Sequence, residues 1–166
     1  SYNDAVVLTA DAVLTGTTGS FAEGLSGDGN DLTLDFSART SLTGTVFTGV
    51  KNFATGNGGV TEISGAITTT GTQTYNDTVE IGADSTLTST GVGASGDITF
   101  ADTLDSVSGD HYSLTVDTAG TTSFDSTVGS TDALTALTTD ASGSTSLGGG
   151  VTTTGARSYN DAVVLT

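Results

Sequence analysis

Short runs of alternating polar and apolar residues recur along the whole chain. Val79 and Ile81 alternate with Thr78 and Glu80, Leu32 and Leu34 with Asp31, Thr33 and Asp35, and Ile98 and Phe100 with Asp97 and Thr99. Ile63 and Ile67 flank Gly65 at the same parity. Successive side chains of a β-strand point to opposite faces, so each run predicts a half-buried strand of about four to six residues. Thr, Ser, Gly and Asp are poor helix formers, and no segment holds a 3.6-residue period for three turns. The runs are separated by GDGND (Gly27–Asp31), GNGG (Gly56–Gly59), SGD (Ser108–Asp110) and LGGG (Leu147–Gly150). These residue types supply the positive φ that tight turns require.

The pattern is duplicated. SYNDAVVLT stands at Ser1–Thr9 and again at Ser158–Thr166, and TYNDTVEI stands between them at Thr74–Ile81. The tyrosines Tyr2, Tyr75 and Tyr159 are 73 and 84 residues apart. DLTLDFSARTSLTGTV (Asp31–Val46) matches SLTVDTAGTTSFDSTV (Ser113–Val128) at an offset of 82, and AITTTGTQTYND (Ala66–Asp77) matches GVTTTGARSYND (Gly150–Asp161) at 84. The second copy therefore carries extra residues at loops, where a modular repeat tolerates them. The organisation is one copy over residues 1–73, a second over 74–157, and the start of a third over 158–166, all in one continuous unit. The ends agree because the chain slightly exceeds its 157-residue period, as expected of a window on a longer tandem array.

Aligning the copies predicts the core. Apolar character persists at Val6 with Val79, Leu8 with Ile81, Leu14 with Leu87, Leu32 with Leu114, Leu34 with Val116 and Leu42 with Phe124. It continues at Val46 with Val128, Val50 with Leu134, Phe53 with Leu137, Ile63 with Leu147 and Ile67 with Val151. Val7 facing Glu80 marks an outward position. An all-β parallel β-solenoid fits these short strands. Tandem β-sandwich modules are the alternative, but a sandwich wants about 100 residues per domain. With about 20 residues per coil and about 4.8 Å per stacked strand, 157 residues predict eight coils and roughly 38 Å of axis, around a thin core of small and medium side chains.

Composition sharpens this. There are 24 Gly and 36 Thr but no Pro, Cys, Met or Trp, and hydrophobic residues make up 34%, enough for a narrow core rather than a disordered chain. Nineteen acids face three bases, Arg39, Lys51 and Arg157, for a net charge of −16. Such a chain repels nucleic-acid phosphates and anionic membrane surfaces, so neither is an expected partner. Without Cys there are no disulfides or thiolate sites, which suits a secreted bacterial protein. No apolar run reaches the roughly 20 residues of a spanning helix, and no signal peptide is recognised.

The TYND…TLTSTG…DITF…LTV…TTTGA run resembles the Thr/Gly-rich β-strand repeats of giant bacterial surface proteins, the filamentous-haemagglutinin-like and autotransporter-like adhesins. The resemblance covers essentially the whole chain. It implies a right-handed parallel β-solenoid, displayed outside the cell and without enzymatic activity. It carries no binding residue onto this segment.

Candidate chemistry is sparse. His111, the single histidine, stands in the turn-like GDHYS with no G-x-S-x-G nucleophile signature in the chain, so an exposed loop residue is expected. SGDGNDLTL (Ser26–Leu34) is similar to the calcium β-roll nonapeptide, making Asp28 and Asp31 the only metal candidates. No second copy follows nine residues on, and calcium needs six or more oxygens. The Asn and Asp of each YND motif are expected to cap turns through nearby backbone N–H groups. The three tyrosines are expected to anchor strand starts with their hydroxyls reaching water. The Thr runs 68–70 and 152–154 raise an ice-binding face, which would need outward Thr-x-Thr on every coil. Lys51 beside Asn52 raises an isopeptide, but the second copy has no counterpart.

The resulting expectation is a non-enzymatic structural segment of an extracellular bacterial filament or giant adhesin. No cofactor is expected. Its partners would be copies of itself along the axis or adjacent repeats, with any host or neighbouring-cell ligand unidentified. The alternative is a calcium-dependent binding module of a surface adhesin, with Ca²⁺ as its cofactor.

Overall fold

The structure, a computed structural model, describes residues 1–43 and 47–166. It is a parallel β-solenoid, in which every strand pair runs parallel and every strand pairs with segments one coil away. The chain passes over three faces in turn. On the first face Leu32 lies beside Phe53, Phe53 beside Gln73, and Gln73 beside Ile98. The second face carries Val60–Ser64, Thr78–Ile81 and Leu104–Ser106, then single bridges at Val128 and Val151. The third carries Ala66–Thr69, Ser85–Val92, Ser113–Ala119, Ala136–Thr139 and Arg157–Tyr159. Two long strands, Ala12–Phe21 and Leu32–Thr43, bend across a corner, their first halves pairing on the first face and their second halves on the second.

The coils are fewer and longer than expected. The first-face register steps by 20 residues from Ala12 to Leu32, 21 to Phe53, 20 to Gln73, 25 to Ile98, 24 to Thr122, 23 to Thr145 and 18 to Val163. That is seven coils and roughly 34 Å of axis at about 4.8 Å each, not eight and 38 Å. The extra residues of the second copy swell corners, among them the 3₁₀ turn Gly93–Gly96, without adding strands.

The repeat and the coil are out of phase. Counting each half of a bent strand and each single bridge as one segment, eleven segments separate Tyr2 from Tyr75, and eleven separate Tyr75 from Tyr159. Eleven is not a multiple of three, so each copy starts one face earlier than the last. Tyr2 bridges Phe21 on the second face, Tyr75 pairs with Phe100 on the first, and Tyr159 pairs with Thr139 on the third. The copies keep the same inward positions on different faces because all three faces present the same pleat to the core.

The aligned apolar positions line that core. Leu32, Leu34, Val50, Phe53, Ile63, Val79, Ile81, Leu87, Leu114, Val116, Phe124, Val128, Leu134 and Leu137 are all buried. Val6, Leu14, Leu147 and Val151 are partly buried against them. Val46 lies outside the described residues. Val7 is 65% exposed, as an outward position should be. The expectation of small and medium core residues is corrected. All six phenylalanines and Tyr75 are buried. Tyr75, Phe100 and Phe124 stack with ring centroids 5.1 and 5.0 Å apart and planes within 10°. Parallel register places like positions of successive coils directly over one another, so a narrow interior accommodates large rings as a pile.

One corner is glycine-lined for a steric reason. Gly120 and Gly143 precede the first face in successive coils, and a Cβ on Gly120 would lie 2.6 Å from the carbonyl carbon of Gly96. At Gly143, φ is +76° and a Cβ would run into the Gly120 oxygen.

Candidate functional site

The YND motif is a coil-to-coil staple. Asn76 donates from its backbone N (3.1 Å) and its Nδ2 (2.8 Å) to the carbonyl of Thr55, one coil back. Asn160 does the same to Thr139, at 3.4 and 2.8 Å, on a different face. Asp77, 2% exposed, accepts from the backbone N–H of Gly58 (2.9 Å) and Gly59 (3.2 Å) and from Thr61 Oγ1 (3.5 Å). Asp161 accepts from Thr139 Oγ1 (3.2 Å) and Thr145 Oγ1 (2.9 Å). The expected capping chemistry is present, but most of its partners belong to the preceding coil rather than to the same turn.

A second ladder runs up the corner before the first face, where each side chain receives the backbone N–H of the residue one coil on. Asp11 Oδ1 accepts from Asp31 N at 2.9 Å. Asp31 Oδ1 accepts from Asn52 N (3.2 Å) and Nδ2 (2.9 Å), and Asn52 Oδ1 from Thr72 N (3.0 Å). Asp97 Oδ1 repeats the arrangement with Thr121 N at 2.7 Å. Asp31, a metal candidate from the sequence, is thus a ladder member. Asp28 stands apart from it, at a turn with φ +49°. Asn52 is held by Asp31 and Thr72, which gives the Lys51–Asn52 pair a hydrogen-bonding role in place of a cross-link.

The second face carries the densest charge. Glu62, Glu80 and Asp105 occupy one outward column on consecutive coils. Arg39 reaches across from the coil before, its Nη2 3.1 Å from Glu62 Oε2 and 2.8 Å from Glu80 Oε2. Asp105 is 7% exposed, and its Oδ1 accepts from Thr131 N (2.9 Å) and Asp132 N (3.3 Å). Arg39 offsets repulsion between stacked carboxylates in a solvated setting. Arg39→Met is therefore expected to lower stability by about 1 kcal/mol or less at low salt, and by less in 1 M salt. Urea unfolding at the two ionic strengths checks this.

The chain is matched by no protein-family model, no curated protein and no solved structure. The chemistry is therefore read from the geometry. His111 is an exposed loop residue whose Nδ1 donates to the Ala133 carbonyl at 2.7 Å. Among the described residues, no group of three or more His, Asp and Glu side chains is placed to hold a metal ion. The Thr runs do not form a flat outward array. Thr69 points inward and is fully buried, and the outward column of Thr68 and Thr88 ends at Asp117. Arg39, Asn52, Asp97 and Asp105 are working residues that sequence reading missed. Their partners lie 20 to 41 positions away, and only the coil length reveals them.

One buried polar group titrates against the fold. The Tyr75 hydroxyl, expected to reach water, is instead fully buried and donates to Gln73 Oε1 at 2.8 Å. Gln73 Nε2 in turn donates to the Thr88 carbonyl at 2.9 Å. Burial pushes the Tyr75 hydroxyl well above its ordinary value. Its contribution is complete below the unfolded value near 10 and is lost as pH rises above it, because only the unfolded chain then releases the proton. Tyr159 is shifted the same way by partial burial, opposed by Arg157. Stability measured by urea at pH 8 to 11.5 is expected to fall above pH 10. Tyr75→Phe is expected to flatten that fall, and Tyr159→Phe to do so less.

Proposed function

We propose that this chain is a load-bearing, non-enzymatic segment of an extracellular bacterial filament or giant adhesin, a stiff rod made of stacked coils. The observation that carries this reading is where the polar side chains are spent. Asn76, Asn160, Asp77, Asp11, Asp31, Asn52 and Asp97 all bond to the neighbouring coil, so the polar chemistry of the corners fastens coil to coil along the axis. Continuous backbone ladders on three sides resist bending, and a parallel strand stack is loaded across many bonds at once. The charge of −16 supports a role in which rods stay dispersed and soluble. Thr, β-branched and polar, covers the outer face of many strands without creating apolar patches.

Electron cryo-microscopy of the protein tests this. A thin rod of constant width, with density repeating near 4.8 Å along its length, is expected. Beads joined by flexible links would overturn the reading and favour separate ligand-binding modules.

A further inference from the structure

The two identical nonapeptides sit in complementary half-filled settings. Ser1–Thr9 is paired only towards the following coil. Tyr2 stacks on Phe21 with centroids 4.9 Å apart, and Val6–Val7 pair with Leu25–Ser26. Ser158–Thr166 is paired only towards the preceding coil, through Thr139 and Ser144–Leu147. Leu8 is 5% exposed, whereas its equivalent Leu165 is 80% exposed. Of the seven exposed large hydrophobics, six (Tyr2, Val7, Val13, Val163, Val164 and Leu165) lie in the two nonapeptides or the strand beside the first.

We propose that Ser158–Thr166 of one chain takes the place of Ser1–Thr9 in a second copy, joining rods head to tail by exchange of identical strands. The proposal rests on the reading of the chain as an axial building block. The slot is already proven for this sequence, because it holds the same nine residues in the chain itself. The incoming Tyr159 would stack on Phe21 of the second copy, and Leu165 would acquire the burial of Leu8. Since one 157-residue period spans 22 segments, the second copy must be turned by one face about the axis.

The contacts in the slot are the same before and after exchange. The gain is a new pairing. Ala12–Gly16 has no partner on its outer edge. After exchange it would lie against Gly150–Thr153 of the first chain. The structure already contains that junction in the aligned segments, where Ser85–Val92 pairs with Ala66–Thr69 and Leu87 sits on Ile67. Leu14 would sit on Val151 in the same way.

The test is light scattering coupled to size exclusion on the 166-residue chain over a hundredfold concentration range. A ladder of head-to-tail oligomers is expected. Excess synthetic SYNDAVVLT peptide should cap the ladder. Deletion of residues 158–166 should leave monomer, and deletion of residues 1–9 should increase association by vacating the slot. Leu165→Asp should cut the associated fraction about tenfold or more, since exchange would bury the charge. Leu165 is exposed in the free chain, so this variant tests docking rather than folding, and circular dichroism verifies the fold. Association that is indifferent to the peptide and to Leu165→Asp overturns the proposal, as does a monomer at every concentration. In either case a rod seen by microscopy leaves the structural reading standing, whereas a monomer without rod shape removes both.

Discussion

Phe100→Ala is expected to cost about 3–5 kcal/mol, the largest effect of any single truncation in this chain. Phe100 is 1% exposed and lies mid-rod, its ring stacked on Tyr75 below and Phe124 above at 5.1 and 5.0 Å, with planes 10° and 3° apart. Removing it deletes two stacking contacts at once. The backbone on both sides is fixed by parallel pairing to Gln73–Tyr75 and Thr121–Phe124, so the cavity cannot collapse. Phe100→Leu should recover more than half of the loss, because volume returns even though stacking does not. The midpoint of urea unfolding measures this. A repeat protein couples only neighbouring units, so a weak central coil is also expected to separate the transitions of the two halves. An effect below 1 kcal/mol would mean that the ring pile is not what fills the interior.

The inward positions are legible in the sequence because strand alternation and copy-to-copy comparison report the same physical fact, which side of the pleat meets the core. Leu32 with Leu114 and Leu34 with Val116 are read correctly even though they lie on different faces. The alignment needs only that a position be inward, not which face it belongs to. For the same reason it is blind to stacking. Phe100 lies 25 residues from Tyr75 and 24 from Phe124, spacings that match neither repeat offset. They depend on corner lengths, set by features such as the Gly93–Gly96 turn, and corners carry no periodic signal. The Arg39 clip over Glu62 and Glu80 is hidden in the same way. The YND residues were recognisable as polar caps, yet their acceptors and donors one coil back could not be named until the coil length was known.

The three copies of YND give the sharpest test of how environment prices one chemistry. Asp77→Ala is expected to lose about 3 kcal/mol, because two buried backbone N–H groups, of Gly58 and Gly59, lose their acceptor together. Asp161→Ala is expected to lose about 1 kcal/mol. Its partners are the Thr139 and Thr145 hydroxyls, which can rotate towards each other across their existing 3.0 Å contact. Asp4→Ala should stay within about 0.5 kcal/mol, since that side chain is exposed. Asp77→Asn separates two causes. A carboxamide keeps one oxygen for both glycine N–H groups and turns its NH₂ towards Thr61 Oγ1, so a loss near 1 kcal/mol means that the acceptor matters. A loss equal to that of Asp77→Ala means that the negative charge itself holds the Gly58–Gly59 corner. Equal losses for all three Asp→Ala variants would show that the motif acts within its own turn, and would remove the staple between coils.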